Sequence, residues 1–172
     1  MTTSRPPASM TVSFLATTEG YTDAMKLLIA IVAALPLFAA DETKVTLSAA
    51  SFEGLPRVTA TVTAHGSKEA ATYEGVALTS LLVKAGVAAG EDIKGKKLSL
   101  VVVAKAADGY QAVYALAELD PKFSKKLFLL ADRKNGKPID EKEGPYRIVV
   151  PDEERQARWV RQVTSIVVRS VE

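Results

Sequence analysis

The chain has 172 residues, 48% of them hydrophobic and 24% charged, with 22 basic residues against 20 acidic ones for a net charge of +2. That is enough for one domain with a real core; it excludes a disordered chain and gives no long-range field that would gather nucleic acid. There is no cysteine, which excludes disulfides, lipoprotein anchoring and metal binding through sulfur.

Taken in chain order, residues 1–24 are polar and rich in Thr and Ser. They read either as an over-extended reading frame ahead of initiation at Met25 or as a disordered extension. Met25 and Lys26 precede LLIAIVAALPLFAA (27–40), an apolar run that closes on a proline and small residues, the build of a signal peptide. The run falls short of the roughly 20 apolar residues of a relaxed transmembrane helix. Cleavage after Ala39 or Ala40 starts the mature chain near Asp41, with a single domain expected at 41–172. It is expected in the periplasm or secreted, and not integral to a membrane once the signal is removed.

KVTLSAASF (44–52) sets Val45 and Leu47 against Thr46 and Ser48, the period of a half-buried strand. RVTATVTAH (57–65) repeats the alternation until Gly66, and a short strand at 71–73 leads into Glu74-Gly75. Leu78, Leu81, Leu82 and Ala85 recur at helical spacing, so a helix is predicted over 76–85, stopped by Gly86. After a basic turn at 94–97, LSLVVVA (98–104) is continuously apolar, as a central strand covered on both faces would be. Asp108-Gly109 turns the chain into the alternating YQAVYALA (110–117), and AELDP (117–121) reads as one helical turn ended by proline. LFLLADRKNGKPI (127–139) carries an Asn-Gly hairpin signal. GPYRIVVP (144–151) and ARWVRQVTSIVV (157–168), rich in Val and Ile and studded with arginines, read as adjacent strands. The class expected is α+β: a mixed, largely antiparallel sheet with one clear helix and short helical turns.

YEGVALTSLL (73–82), ADGYQAVYALAELDP (107–121), LLADRKNGKPI (129–139) and GPYRIVVP with ARWVRQV stand in the order and spacing of a known domain. From about Val45 to Val168 the chain resembles the oxidoreductase molybdopterin-binding domain family, the fold of sulfite oxidase. The resemblance implies that fold and a pterin pocket. In the family a cysteine thiolate, just after a strand resembling RVTATVTAH, holds molybdenum; here that place falls on Ala64 or on its neighbour His65. A methyl group cannot ligate the metal, and imidazole is a different ligand from a soft thiolate. GSKEAA (66–71) also replaces the polar residues that follow the family's cysteine.

A motif like ARWVR lies near the pterin phosphate in the family, so the resemblance implies anion contacts for Arg158 and Arg161. A guanidinium fork suits phosphate oxygens. Residues three apart point to opposite faces of a straight strand, so both reach one ligand only if the chain bends or one lies in a loop. On the residues alone, they also read as strand arginines paired with Asp152, Glu153 or Glu154, with Arg147 structural.

His65, the single histidine, makes no metal site by itself and reads at most as a donor to an anionic ligand. Tyr110, directly after the Asp108-Gly109 turn, is placed to line a pocket mouth, whereas Tyr114, Tyr146 and Trp159 read as core. The acidic runs at 140–143 and 152–154 lack calcium-loop spacing and read as solvated loops, as do the lysines at 94–97 and 122–126.

The function expected is a cofactor-free binding module. Its old pocket would take a small anionic ligand or a partner protein through Arg158, Arg161, His65 and Tyr110. The alternative is a molybdopterin-dependent oxidoreductase domain that passes electrons to a haem partner. A third reading is a structural subunit docked on a membrane or a cytochrome partner.

Overall fold

The computed structural model describes residues 42–63 and 69–171. The leader at 1–24, the expected signal at 25–40, and Ala64 and His65 lie outside the described residues. Among the described residues no helix is long and apolar enough to cross a membrane.

The α+β class stands, with the strands divided between two sheets in which every pairing is antiparallel. The first sheet has the order β1–β9–β4–β5: β1 (Thr43–Thr46), β9 (Val163–Ser170), β4 (Leu100–Ala106) and β5 (Gln111–Ala115). The second runs β2 (Arg57–Thr63), β3 (Ala70–Ala77), β6 (Leu129–Lys134). The short strands β7 (Lys137–Pro138) and β8 (Arg147–Val149) pair along the far side of β6. One apolar cluster draws on both sheets and on the helix α1 (Leu78–Lys84), with Tyr73, Leu81, Leu82, Val102, Tyr114, Leu130, Ile148 and Ile166 fully buried.

Local chemistry accounts for most of these elements. In β2 the buried residues Ala60 and Val62 alternate with exposed Thr59, Thr61 and Thr63, so one face enters the core. The apolar run of β4 is buried at Val102, Val103 and Ala104 because β9 and β5 flank it. Asn135 and Gly136 take positive φ of 50° and 75° in the β6–β7 reversal, as a two-residue hairpin of this twist requires. The Asn135 side chain also accepts the Thr72 N–H at 2.8 Å, stitching the turn to β3.

Two boundaries differ from expectation. β3 extends through Gly75 to Ala77, taking the first two residues of the expected helix. A Cβ at Gly75 would sit 1.9 Å from the Leu130 carbonyl oxygen, so this glycine permits close approach of β6 instead of ending the strand. The segment 157–168 is not one strand beside β8. Residues Gln156–Arg158 form a 3-10 turn, and β9 begins only at Val163, in the other sheet. Backbone bonds from Ile148 N–H to the Val160 carbonyl (2.8 Å) and from Val163 N–H to the Tyr146 carbonyl (2.9 Å) pull the chain back beside β8. Residues 150–159 are thereby left as a loop.

Candidate functional site

That loop, the end of β2 and the β4–β5 turn enclose a cleft with two parts. The larger, about 390 Å³, lies between Thr61, Val62 and Thr63 of β2 and the loop residues Pro151, Glu153, Glu154, Gln156 and Trp159. The smaller, about 180 Å³, is lined by Asp108, Tyr110, Gln156, Ala157, Trp159 and Arg161. Gln156 and Trp159 belong to both, so Trp159, 5% exposed, forms their common wall.

Of the expected contacts, Tyr110 and Arg161 meet in the smaller part. Tyr110 is half exposed; its hydroxyl donates to the Ala157 carbonyl at 2.6 Å, and its N–H reaches Asp108 Oδ1 at 2.9 Å. Arg161 is exposed and forms no ion pair among the described residues. The objection to two arginines three apart on a strand disappears, since neither lies in one.

Arg158 is placed differently. Its Nη1 donates to Glu118 Oε1 at 2.9 Å and its Nη2 donates to Glu153 Oε1. The guanidinium lies over the Tyr114 ring, 5.0 Å from the centroid, and the Tyr114 hydroxyl donates to the Arg158 carbonyl. Partial burial pulls the Arg158 pKa down, but the two carboxylates outweigh it and the net shift is upward. Burial pushes the Tyr114 phenol well above its usual range, against the pull of Arg158. Arg158 thus lines neither part of the cleft but braces Glu153, which does, and its fork is already filled.

A second clamp lies deeper. Arg147 Nη1 meets Glu143 Oε1 at 2.7 Å and donates to the Tyr73 hydroxyl at 3.3 Å. Its guanidinium lies 5.5 Å from the Tyr73 ring centroid and 5.9 Å from that of Trp159. Lys134 holds the other Glu143 oxygen at 3.0 Å. Burial would raise the Glu143 pKa, yet bonds from Lys134 and Arg147 carry it below the ordinary value of 4.5. The two acidic runs are therefore not wholly solvated loops: Glu143 and Glu153 each grip an arginine.

Of the residues that line the cleft, the sequence singled out Arg161 and Tyr110 as site candidates but not Thr61, Thr63, Gln156 or Asp108, and it offered Glu153 but not Glu118 as a partner for an arginine. Glu118 lies 40 positions from Arg158, and no local pattern connects the two. It sits in the short helix α2 (Leu116–Leu119), where its carboxylate also accepts the Ala115 N–H at 3.0 Å.

The donor set determines what the cleft can hold. Its larger part offers threonine hydroxyls and the carboxylates of Glu153 and Glu154; Glu153 Oε2 and the Trp159 indole N–H are buried without a hydrogen-bond partner. Hydroxyl and carboxylate are hard oxygen ligands, and a soft thiolate is absent from the whole chain. Among the described residues no cluster of His, Asp or Glu could hold a metal ion. The residues present do not fit a thiolate-held molybdenum. Among the described residues that line the cleft, Arg161 is the one cation.

The family model described as oxidoreductase molybdopterin binding domain matches residues 29–172, nearly the whole chain. No curated protein matches it.

Proposed function

The chain belongs to the oxidoreductase molybdopterin-binding domain family, and from that premise we propose that it is an exported binding domain that works without molybdenum catalysis. Its cleft around Trp159 takes a small anionic ligand, or an acidic group of a partner protein, at Arg161 and Tyr110. The absence of cysteine carries this reading, because nothing else in the chain supplies the thiolate that the family's metal requires. Arg158, with both carboxylates already in place, acts through the cleft wall and leaves direct contact to Arg161. The apolar run after Lys26 supports export.

Family membership itself favours the other reading, a molybdopterin-dependent oxidoreductase domain that feeds a haem partner. Metal and pterin analysis of protein produced from Met25 in its native compartment separates the two. Preparations free of both molybdenum and pterin are expected. Stoichiometric molybdenum, retained through purification, would overturn the binding-domain reading.

A further inference from the structure

Away from the cleft, a 3-10 turn packed on α2 and the segment that leaves α2 carry six lysines and two exposed apolar side chains. The 3-10 turn Gly95–Ser99 packs against α2; it carries Lys96, Lys97 and Leu98, with Lys94 just before it. The segment following α2 carries Lys122, Phe123, Lys125 and Lys126. All six lysines are exposed, and Leu98 and Phe123 are 52% and 50% exposed.

Buried Asp120 fixes this arrangement. Its carboxylate accepts the N–H of Gly90 at 2.7 Å and of Lys122 at 2.8 Å, and its carbonyl accepts those of Phe123 and Ser124 at 3.0 Å each. Phe123 is thereby held outward in a pre-formed turn. The lysines are weakly opposed. Lys122 meets Glu91 at 3.8 Å with both side chains largely in water, a pair of little strength. The other five form no ion pair among the described residues. Behind Phe123 a groove of about 460 Å³ is lined by Leu119, Leu127, Phe128, Lys125 and Lys126.

We propose that this surface docks the domain on an anionic lipid bilayer. Leucine and phenylalanine enter the boundary between headgroups and acyl chains, while lysine stems lie along it with their ammonium groups among lipid phosphates. The residue types select lipid over an acidic protein. Protein interfaces enrich arginine and deplete lysine, and every cation of this patch is lysine. An ammonium is a mobile point charge that suits a fluid layer of headgroups and needs no fixed fork geometry.

The test uses the full chain and its Lys122→Gln/Lys125→Gln/Lys126→Gln variant, so any contribution from residues 27–40 is common to both proteins. Each lysine near an anionic surface contributes about a five-fold gain in partitioning, so the variant should bind phosphatidylglycerol-containing vesicles about a hundred-fold more weakly. Wild-type binding should prefer these over pure phosphatidylcholine vesicles, and that preference should vanish at about 1 M salt, where the screening length is about 3 Å. On vesicles, acetylation of Lys94, Lys96, Lys97, Lys125 and Lys126 should be suppressed. Phe123→Ser should weaken vesicle binding and leave its salt dependence unchanged. Equal partitioning of wild type and variant, or lysines acetylated equally with and without vesicles, overturns the proposal. So does retention on an acidic protein with no preference for anionic vesicles.

Discussion

Arg147 and Arg158 are built from the same parts, a guanidinium over an aromatic ring with carboxylate on its fork, yet they stand in different solvents. The Arg147 side chain is 8% exposed and that of Arg158 is 34% exposed. In the deep clamp a lost partner strands a charge that water cannot reach, so the pair is committed to the fold. At the rim, water can reach Arg158 and Glu118, while Glu153 is only 10% exposed, so the same chemistry forms a wall that is altered at a lower cost than the deep clamp. A short stretch of chain thus contains one arginine held in the core, one that braces Glu153 at the cleft, and in Arg161 a third that is exposed and forms no ion pair among the described residues.

The largest effect expected from breaking this comparison is in Glu143→Ala, which removes the counter-ion from Arg147 and from Lys134 together. A loss of about 3 kcal/mol is expected in chemical denaturation, the range for stranding one member of a buried pair. A loss below about 1 kcal/mol would place Arg147 in the same class as Arg158. Arg158→Ala should cost less, about 1–2 kcal/mol, as Glu118 turns to solvent while Glu153 keeps a buried oxygen.

Acid separates the clamps next. The folded-state pKa of Glu143 lies below its unfolded value, so its contribution is fully present above the ordinary 4.5 and fades as pH falls through the lowered value. Lys134 is the converse: burial would lower its pKa, but bonds to Glu143 and Tyr73 outweigh it and raise it, so its contribution is fully present below the ordinary 10.5 and is lost as pH rises through the raised value. Glu143→Gln should flatten the acid limb of a stability–pH profile. The smallest stability effect belongs to Arg161→Ala, within about 0.5 kcal/mol of wild type. Its signature is weaker binding of an anionic ligand by about ten-fold, the loss of one charge-assisted hydrogen bond. Unchanged affinity in a titration would remove Arg161 from the site.

Patterns whose cause is local were legible in the sequence. The threonine–apolar alternation of β2, the Asn135-Gly136 hairpin and the leucine stripe of α1 each state their own conformation, and the structure places all three. Ala157 to Gln162 misled because apolar residues and arginines interleave there as they would in a strand. Its path is set instead by backbone bonds to Tyr146 and Ile148 and by a carboxylate from α2. Gly75 misled in the same way: its meaning lies in the distance to Leu130 on another strand. The cleft assembles from three separated segments, so a linear reading reached only those members that carry a conspicuous side chain.

Trp159 is the chain's only tryptophan and forms the partition between both parts of the cleft. Its emission is therefore a single-site optical signal, free of background from any other indole. Anything that enters on either side, or that displaces Arg147 from above the ring, should register as a change in that fluorescence without an added label.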